Sequence, residues 1–161
     1  MKEMLKPPNW SEKLDAASRF VLVLDDEAIY DKETGLVWEK SPDTTRRTWA
    51  DAILYAYRKT VGGRKGWRLP TVEELASLVD PTQTFPALFL PGGHPFTNVQ
   101  LDHYWSATIH ANNTNFALTV SFQADFVSND DRGSSDSLHY VWCVRGGYGY
   151  DGQELPPIPQ I

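Results

Sequence analysis

Cys143 is the only cysteine in this 161-residue sequence, and His139 stands four positions before it, so the chain holds the residue types of a thiolate–imidazole pair. Such a pair needs hydrogen-bond contact. Read as a strand, residues 139–145 would place both side chains on one face but about 13 Å apart. The apolar neighbours Val141, Trp142 and Val144 point instead to a buried, inert thiol.

Metal chemistry finds little support. His94, His103, His110 and His139 fit no HExxH or paired-ligand spacing, and one cysteine cannot build a structural zinc site. Asp125, Asn129, Asp130, Asp131 and Asp136 gather the oxygen donors that a hard cation prefers. An EF-hand register through Gly133, however, puts Ser128 first, Arg132 fifth and His139 last, where oxygen donors and a final Glu are required. The Glu-Pro-Asn, Gln-Pro-Asp and Trp-Asn-Asp motifs of calcium-dependent lectins are missing. A solvated acidic loop is the reading adopted, with no metal and no cofactor expected.

What remains is recognition chemistry. An aromatic ring stacks on the apolar face of a sugar or a side chain while nearby amides and carboxylates bind its polar groups. Trp38, Trp49, Trp67, Trp105 and Trp142 fall on predicted core faces or in the motifs of the family resemblance given below, leaving Phe96, Tyr104, Phe126 and Tyr140 as exposed candidates. The ligand-contact set read from the sequence is His103, Tyr104, Asn112, Asn113, Asn115, Phe126, Asn129, Asp130, Asp131, Asp136, His139 and Tyr140. Arg68 and Arg145 lie between apolar residues and read as structural, pairing with a carboxylate or with loop carbonyls.

A net charge of -6 argues against nucleic acid, whose binders draw affinity from clustered Lys and Arg. The only adjacent basic pairs in the first half are Arg46-Arg47 and Arg64-Lys65. No apolar run of membrane-spanning or signal-peptide length is present. The expected partner is a protein or a glycan, and the oligomeric state stays open. The length suits one domain, taken as residues 19–147 between a polar lead-in (1–18) and a Pro/Gly-containing tail (148–161).

These residues need a scaffold. Phe20–Leu24 reads as a strand, and Ala28–Tyr30 and Leu36–Glu39 as a hairpin around Asp31-Lys32-Glu33-Thr34-Gly35. Leu36 and Trp38 share a face and should be buried together. Thr48 caps a helix with Trp49, Ala52, Ile53 and Ala56 as its buried stripe, ended by Gly62-Gly63. Thr71-Val72-Glu73-Glu74 is a capping box opening a shorter helix whose apolar face is Val72, Leu75, Ala76 and Val79. A long irregular stretch runs to residue 103, followed by strands at Tyr104–Thr108, Phe116–Phe122 and His139–Arg145. Without βαβ alternation the fold class is α+β.

Thr34-Gly35-Leu36-Val37-Trp38, Trp49-Ala50-Asp51-Ala52, Gly66-Trp67-Arg68-Leu69-Pro70-Thr71, Tyr104-Trp105-Ser106-Ala107-Thr108 and Cys143-Val144-Arg145-Gly146-Gly147 together resemble the C-terminal domain of the Legionella collagen-like adhesin. The resemblance runs from about Asp31 to Gly147 and implies a C-type lectin-like fold: two helices, a small mainly antiparallel sheet and long irregular loops. It also implies kinship with the formylglycine-generating enzyme superfamily, and with it an alternative role as an enzyme using Cys143. A structural or oligomerisation domain is a further alternative.

By the same resemblance, the ligand is carried by the loops at Thr82–His103, His110–Asn115 and Asp125–His139 of a non-enzymatic surface or secreted module. Family members commonly pair the last cysteine with one in the first helix; here the matching residue is Ala56, so the compartment stays open. Leu118 stands where a Trp is common. The Asn/Ser/Asp-rich stretch Asn112–His139 also resembles the variable face of diversity-generating retroelement proteins, with an ordinary polar loop as the alternative.

Overall fold

The structure, a computed structural model, describes residues 14–123 and 127–147. The chain opens with a short helix α1 (Ala16–Arg19) and continues through β1 (Phe20–Val23), β2 (Ala28–Asp31) and β3 (Leu36–Glu39). Helices α2 (Trp49–Arg58) and α3 (Val72–Ala76) follow, then β4 (His103–Ile109), β5 (Phe116–Ser121), β6 (Val127–Asp131) and β7 (Val144–Gly146). The fold is α+β. One antiparallel sheet has the order β1-β2-β3-β7 and a second has β4-β5-β6.

The hairpin forms as the turn residues dictate. The Asp31 carboxylate accepts from the Glu33 amide at 3.0 Å and the Thr34 hydroxyl at 2.9 Å, while Gly35 takes the positive φ the turn requires. Leu36 and Trp38 are both buried, as their shared face requires, and Val37 between them is buried on the other face. β3 therefore separates two apolar clusters. Trp142 is the hub of the first, with ring centroids 4.9 Å from Phe96 and 5.5 Å from both Trp38 and Phe122. α3 packs on that cluster through Val72 and Leu75, and α2 covers the second through Ala52 and Ala56.

Both helices start at the caps read from the sequence. Thr48 accepts from the Asp51 amide, and Thr71 and Glu74 form a reciprocal capping box. Their ends differ from expectation. α2 stops at Arg58, with Lys59 already extended, well before Gly62-Gly63. α3 is a single turn, so Leu78 in the following turn is fully buried while Ala76 and Val79 are only half-buried.

Several expectations are corrected. Two sheets stand where one was expected, and α1 is a third helix. Ala16 joins the first cluster, and the fully buried Arg19 makes a bidentate pair with Asp31, both bonds 2.8 Å, while donating to the Ser77 carbonyl at 2.9 Å. β6 lies within the stretch read as a loop, because Ser128, Asn129 and Asp130 register against Thr119, Leu118 and Ala117. Residues 139–143 form no strand. Single bridges hold His139 to Arg47 and Tyr140 to Tyr104, and only β7 beyond them joins a sheet. The long stretch before β4 also contributes to the core, seating Leu90 and Phe96 in the first cluster.

Candidate functional site

Polar side chains gather where the β4–β5 connection meets the turn after β6. The Arg132 amide donates to the Asn115 carbonyl at 3.0 Å and its Nε to the Thr114 carbonyl at 2.6 Å. The Arg132 guanidinium also lies 5.3 Å from the Trp49 ring centroid, bringing the start of α2 to the same end of the sheet. Two turns and a half-buried indole thus form one continuous surface.

Within it, local hydrogen bonds set the shape. Asn113 Oδ1 accepts from the Asn115 amide and Asp131 Oδ1 from the Gly133 amide, fixing the two turns. Asn112 and Asp136 are exposed, and their side chains have no partner among the described residues. With the exposed Asn115, whose side chain is likewise uncommitted, they can bind without breaking an internal bond.

A second cluster lies beside it, where the segment 134–140 crosses the sheet. His139 Nε2 is 2.7 Å from Asp130 Oδ2, and the Ser137 hydroxyl donates to Asp130 Oδ1 at 2.8 Å. Partial burial opposes ionisation of Asp130, but its hydrogen bonds from His139, Ser137 and the Asp131 amide outweigh that and hold the carboxyl below the usual range. The rings of His103 and His139 are 5.7 Å apart, and His103 Nδ1 is 3.1 Å from the Thr119 hydroxyl. Burial, and then the neighbouring His139, push the His103 imidazole below its ordinary value.

The structure divides the residues read from the sequence. It brings Asn112, Asn113, Asn115, Asp131 and Asp136 to the turn surface, and His103, Asp130 and His139 to the adjoining cluster. Asn129 is exposed but, one residue from Asp130 in a strand, faces the opposite side of the sheet. Tyr104 is corrected outright: it is fully buried, edge-on to Phe122 and tilted against Tyr140 and Trp142, and its hydroxyl accepts from the Gln100 amide at 2.8 Å. Phe96, expected exposed, is core as well. Tyr140 is half-buried, with the Arg46 guanidinium 5.1 Å above its ring. Phe126 lies outside the described residues.

Sequence reasoning missed two contributors. Trp49 packs on the second apolar cluster as its place in the helix stripe implied, with its indole N–H donating to the Ser106 carbonyl, but it is only half-buried and also meets Arg132 over its ring. Arg132 joins the two turns, a role invisible without the pairing of β5 with β6.

Cys143 is fully buried, and its amide donates to the buried Glu39 carboxylate at 2.6 Å. Burial and the charge of Glu39 push the thiol far up from its ordinary value. Burial likewise raises Glu39, opposed by the Lys59 ammonium 3.4 Å away. Arg68 and Arg145 have the structural roles expected of them: Arg68 grips Glu74 with bonds of 2.7 and 2.9 Å and donates to the Gly146 carbonyl, while Arg145 donates to the Lys65 carbonyl. No described helix is long and apolar enough to cross a membrane.

Compared with protein families, residues 27–145 match the family described as the Lcl C-terminal domain. Among curated proteins, none matches.

Proposed function

This chain belongs to the Lcl C-terminal domain family, and from that premise we propose that it is a non-enzymatic, adhesin-like recognition module of C-type lectin-like architecture. It takes a protein or glycan ligand on the surface formed by residues 112–115 and 131–136. The observation that carries this reading is the tie between the two turns: Arg132 fixes one against the other, the amides of Asn112 and Asp136 are held by His110 and Ser134, and the Asn112 and Asp136 side chains make no bond within the described residues. A rigid frame that presents uncommitted polar groups loses little conformational entropy on binding. The amides and carboxylates supply the hydrogen bonding, and the Arg132 guanidinium over Trp49 a flat cationic face, that glycans and peptide surfaces accept.

The enzyme alternative requires an accessible Cys143 thiolate, which full burial beside Glu39 opposes. Diversification by a retroelement would act on the Asn112–His139 stretch, in which Asn112, Asn113 and Asn115 are exposed. A near-duplicate template and a reverse transcriptase in the flanking DNA would support it, and their absence would remove it.

The test is a screen of the domain against arrayed glycans and a displayed protein library, beside the double variant Asn112→Ala/Asp136→Ala. Surface substitutions of this kind change stability by about 0.5 kcal/mol or less. The expected result is a bound partner whose affinity falls at least about tenfold in the variant, some 1.4 kcal/mol, with melting unchanged. Equal binding by both proteins would move the site elsewhere.

A further inference from the structure

We propose that the outer edge of β6 takes an extended, basic segment of a protein partner as an added antiparallel strand, beside the turn surface that carries the principal contacts. This goes one strand beyond that surface and rests on the recognition reading only for the premise that the partner is a protein.

The molecule closes most of its strand edges. Along β4, the Trp105 amide donates to the Tyr140 carbonyl at 3.0 Å and the Ala107 amide to the Pro70 carbonyl at 2.7 Å. On β7, Val144 exchanges both main-chain bonds with Arg68, at 2.9 and 3.0 Å. The Phe20 amide of β1 is taken by the Ala16 carbonyl.

β6 differs. The bond from the Arg132 amide to the Asn115 carbonyl fixes the alternation: Ser128 and Asp130 turn their main-chain groups toward β5, and Val127, Asn129 and Asp131 turn theirs outward. Asp131 is already closed, since its amide donates to Asp130 Oδ1 at 2.8 Å and its carbonyl accepts from the Ser134 amide at 3.4 Å. Val127 and Asn129 have no main-chain partner on that side among the described residues. They leave two donors and two acceptors in the spacing that an added strand requires.

Side chains choose the occupant. The residue set opposite Val127 shares its face, where the valine is 50% exposed, and an apolar side chain there would cover it. The residues opposite Asp130 and Asp131 meet carboxylates. Asp130 is held ionised by its bonds from His139 and Ser137, yet its side chain is 38% exposed. Asp131 spends one oxygen on the Gly133 amide. Arg132, the cation next in sequence, is spent on the Thr114 carbonyl and the Trp49 ring. Lys or Arg at those two positions supplies the complementary charge. Read from its N-terminus, the partner segment is therefore two basic residues, two unrestricted ones and an apolar one. A second copy of this chain fits worse. With Asn129 opposite Asn129, Val127 would meet Asp131, whose amide is already taken, and both copies carry a net charge of -6.

The test uses the unaltered protein and the synthetic peptide acetyl-Lys-Lys-Thr-Thr-Val-Thr-amide. Hydrogen exchange at the Val127 and Asn129 amides is expected to slow at least about tenfold at saturating peptide. A peptide with Glu-Glu in place of Lys-Lys is expected to bind at least about tenfold more weakly. N-methylation of the valine and the first threonine removes the two donors facing β6 and should abolish the protection, whereas N-methylation of the second threonine should keep it. Absent protection, equal binding of the acidic peptide, or indifference to which amide is methylated would overturn the proposal. So would protection that rises with protein concentration without peptide, which would give the edge to a second copy. Neither Asn112 nor Asp136 lies opposite a peptide residue, so Asn112→Ala/Asp136→Ala is expected to show the same protection, and its loss there would also count against the added strand. The edge and the turn surface thus succeed or fail separately.

Discussion

Side chains that look reactive in the sequence are mostly spent on holding the molecule together. Cys143 is the clearest case. The Val141, Trp142 and Val144 neighbours already implied a buried thiol, but the strand that was to carry it does not form; single bridges hold only His139 and Tyr140, and β7 alone pairs in a sheet beyond them. Its partner, the buried Glu39, was not legible at all, since the two are 104 positions apart. With the thiol pushed up by burial and by Glu39, a maleimide or disulfide reagent near pH 8 is expected to leave native Cys143 unmodified and to label it at once after denaturation. Rapid labelling of the folded protein would return the enzyme reading to contention. Tyr104 teaches the complementary lesson: it counts as an exposed aromatic once the tryptophans are placed, yet the ring is committed to the core and its hydroxyl to Gln100. Strand alternation says that two neighbours face opposite ways, not which way is inward.

Element starts were readable and element ends were not. Thr48 and Thr71 cap α2 and α3 because their hydroxyls satisfy amides that the first turn leaves unpaired, a rule that local sequence can express. The end of α2 is instead set by tertiary contact: Lys59 leaves the helix within reach of Glu39 and Tyr55. The Trp-Arg-Leu-Pro-Thr segment gains a definite role, since Arg68 joins the Glu74 of the capping box to the Gly146 carbonyl at the end of β7. Arg68→Ala should lower stability by about 1–3 kcal/mol, the range for losing a charge-assisted, partly buried pair, while ligand preference stays unaltered; chemical denaturation beside a binding assay checks this. Gly62 is a second joint. A Cβ there would meet the Leu24 Cβ at 2.5 Å and its carbonyl oxygen at 2.7 Å, at a φ of +54°. Gly62→Ala is therefore expected to depress the melting temperature clearly, whereas Gly63→Ala, with nothing within 4 Å, should show only the smaller cost of its positive φ.

At the scale of the whole molecule, two apolar clusters on either side of β3 make a frame, and the polar turns stand at one end of the second sheet. The α+β class and the family could be read from patterning and from motifs spread along the chain. The shape of the surface could not, because it depends on β6, VSNDD, a strand with one valine followed by four polar residues, that lacks the apolar alternation by which strands are recognised. Pairing of β5 with β6 separates Asn129 from Asp130, turns Asp130 into a fastening for residues 134–140, and leaves the side chains of Asn112, Asn115 and Asp136 among the groups open to a ligand. The central claim is that recognition occurs there. It is tested most directly by titrating the tightest partner from the binding screen into isotope-labelled domain and following backbone amide shifts. The account predicts that the largest changes fall within residues 110–115 and 131–138, with Trp49 among them. Changes concentrated on the outer face of α2, or along residues 82–102, would contradict it.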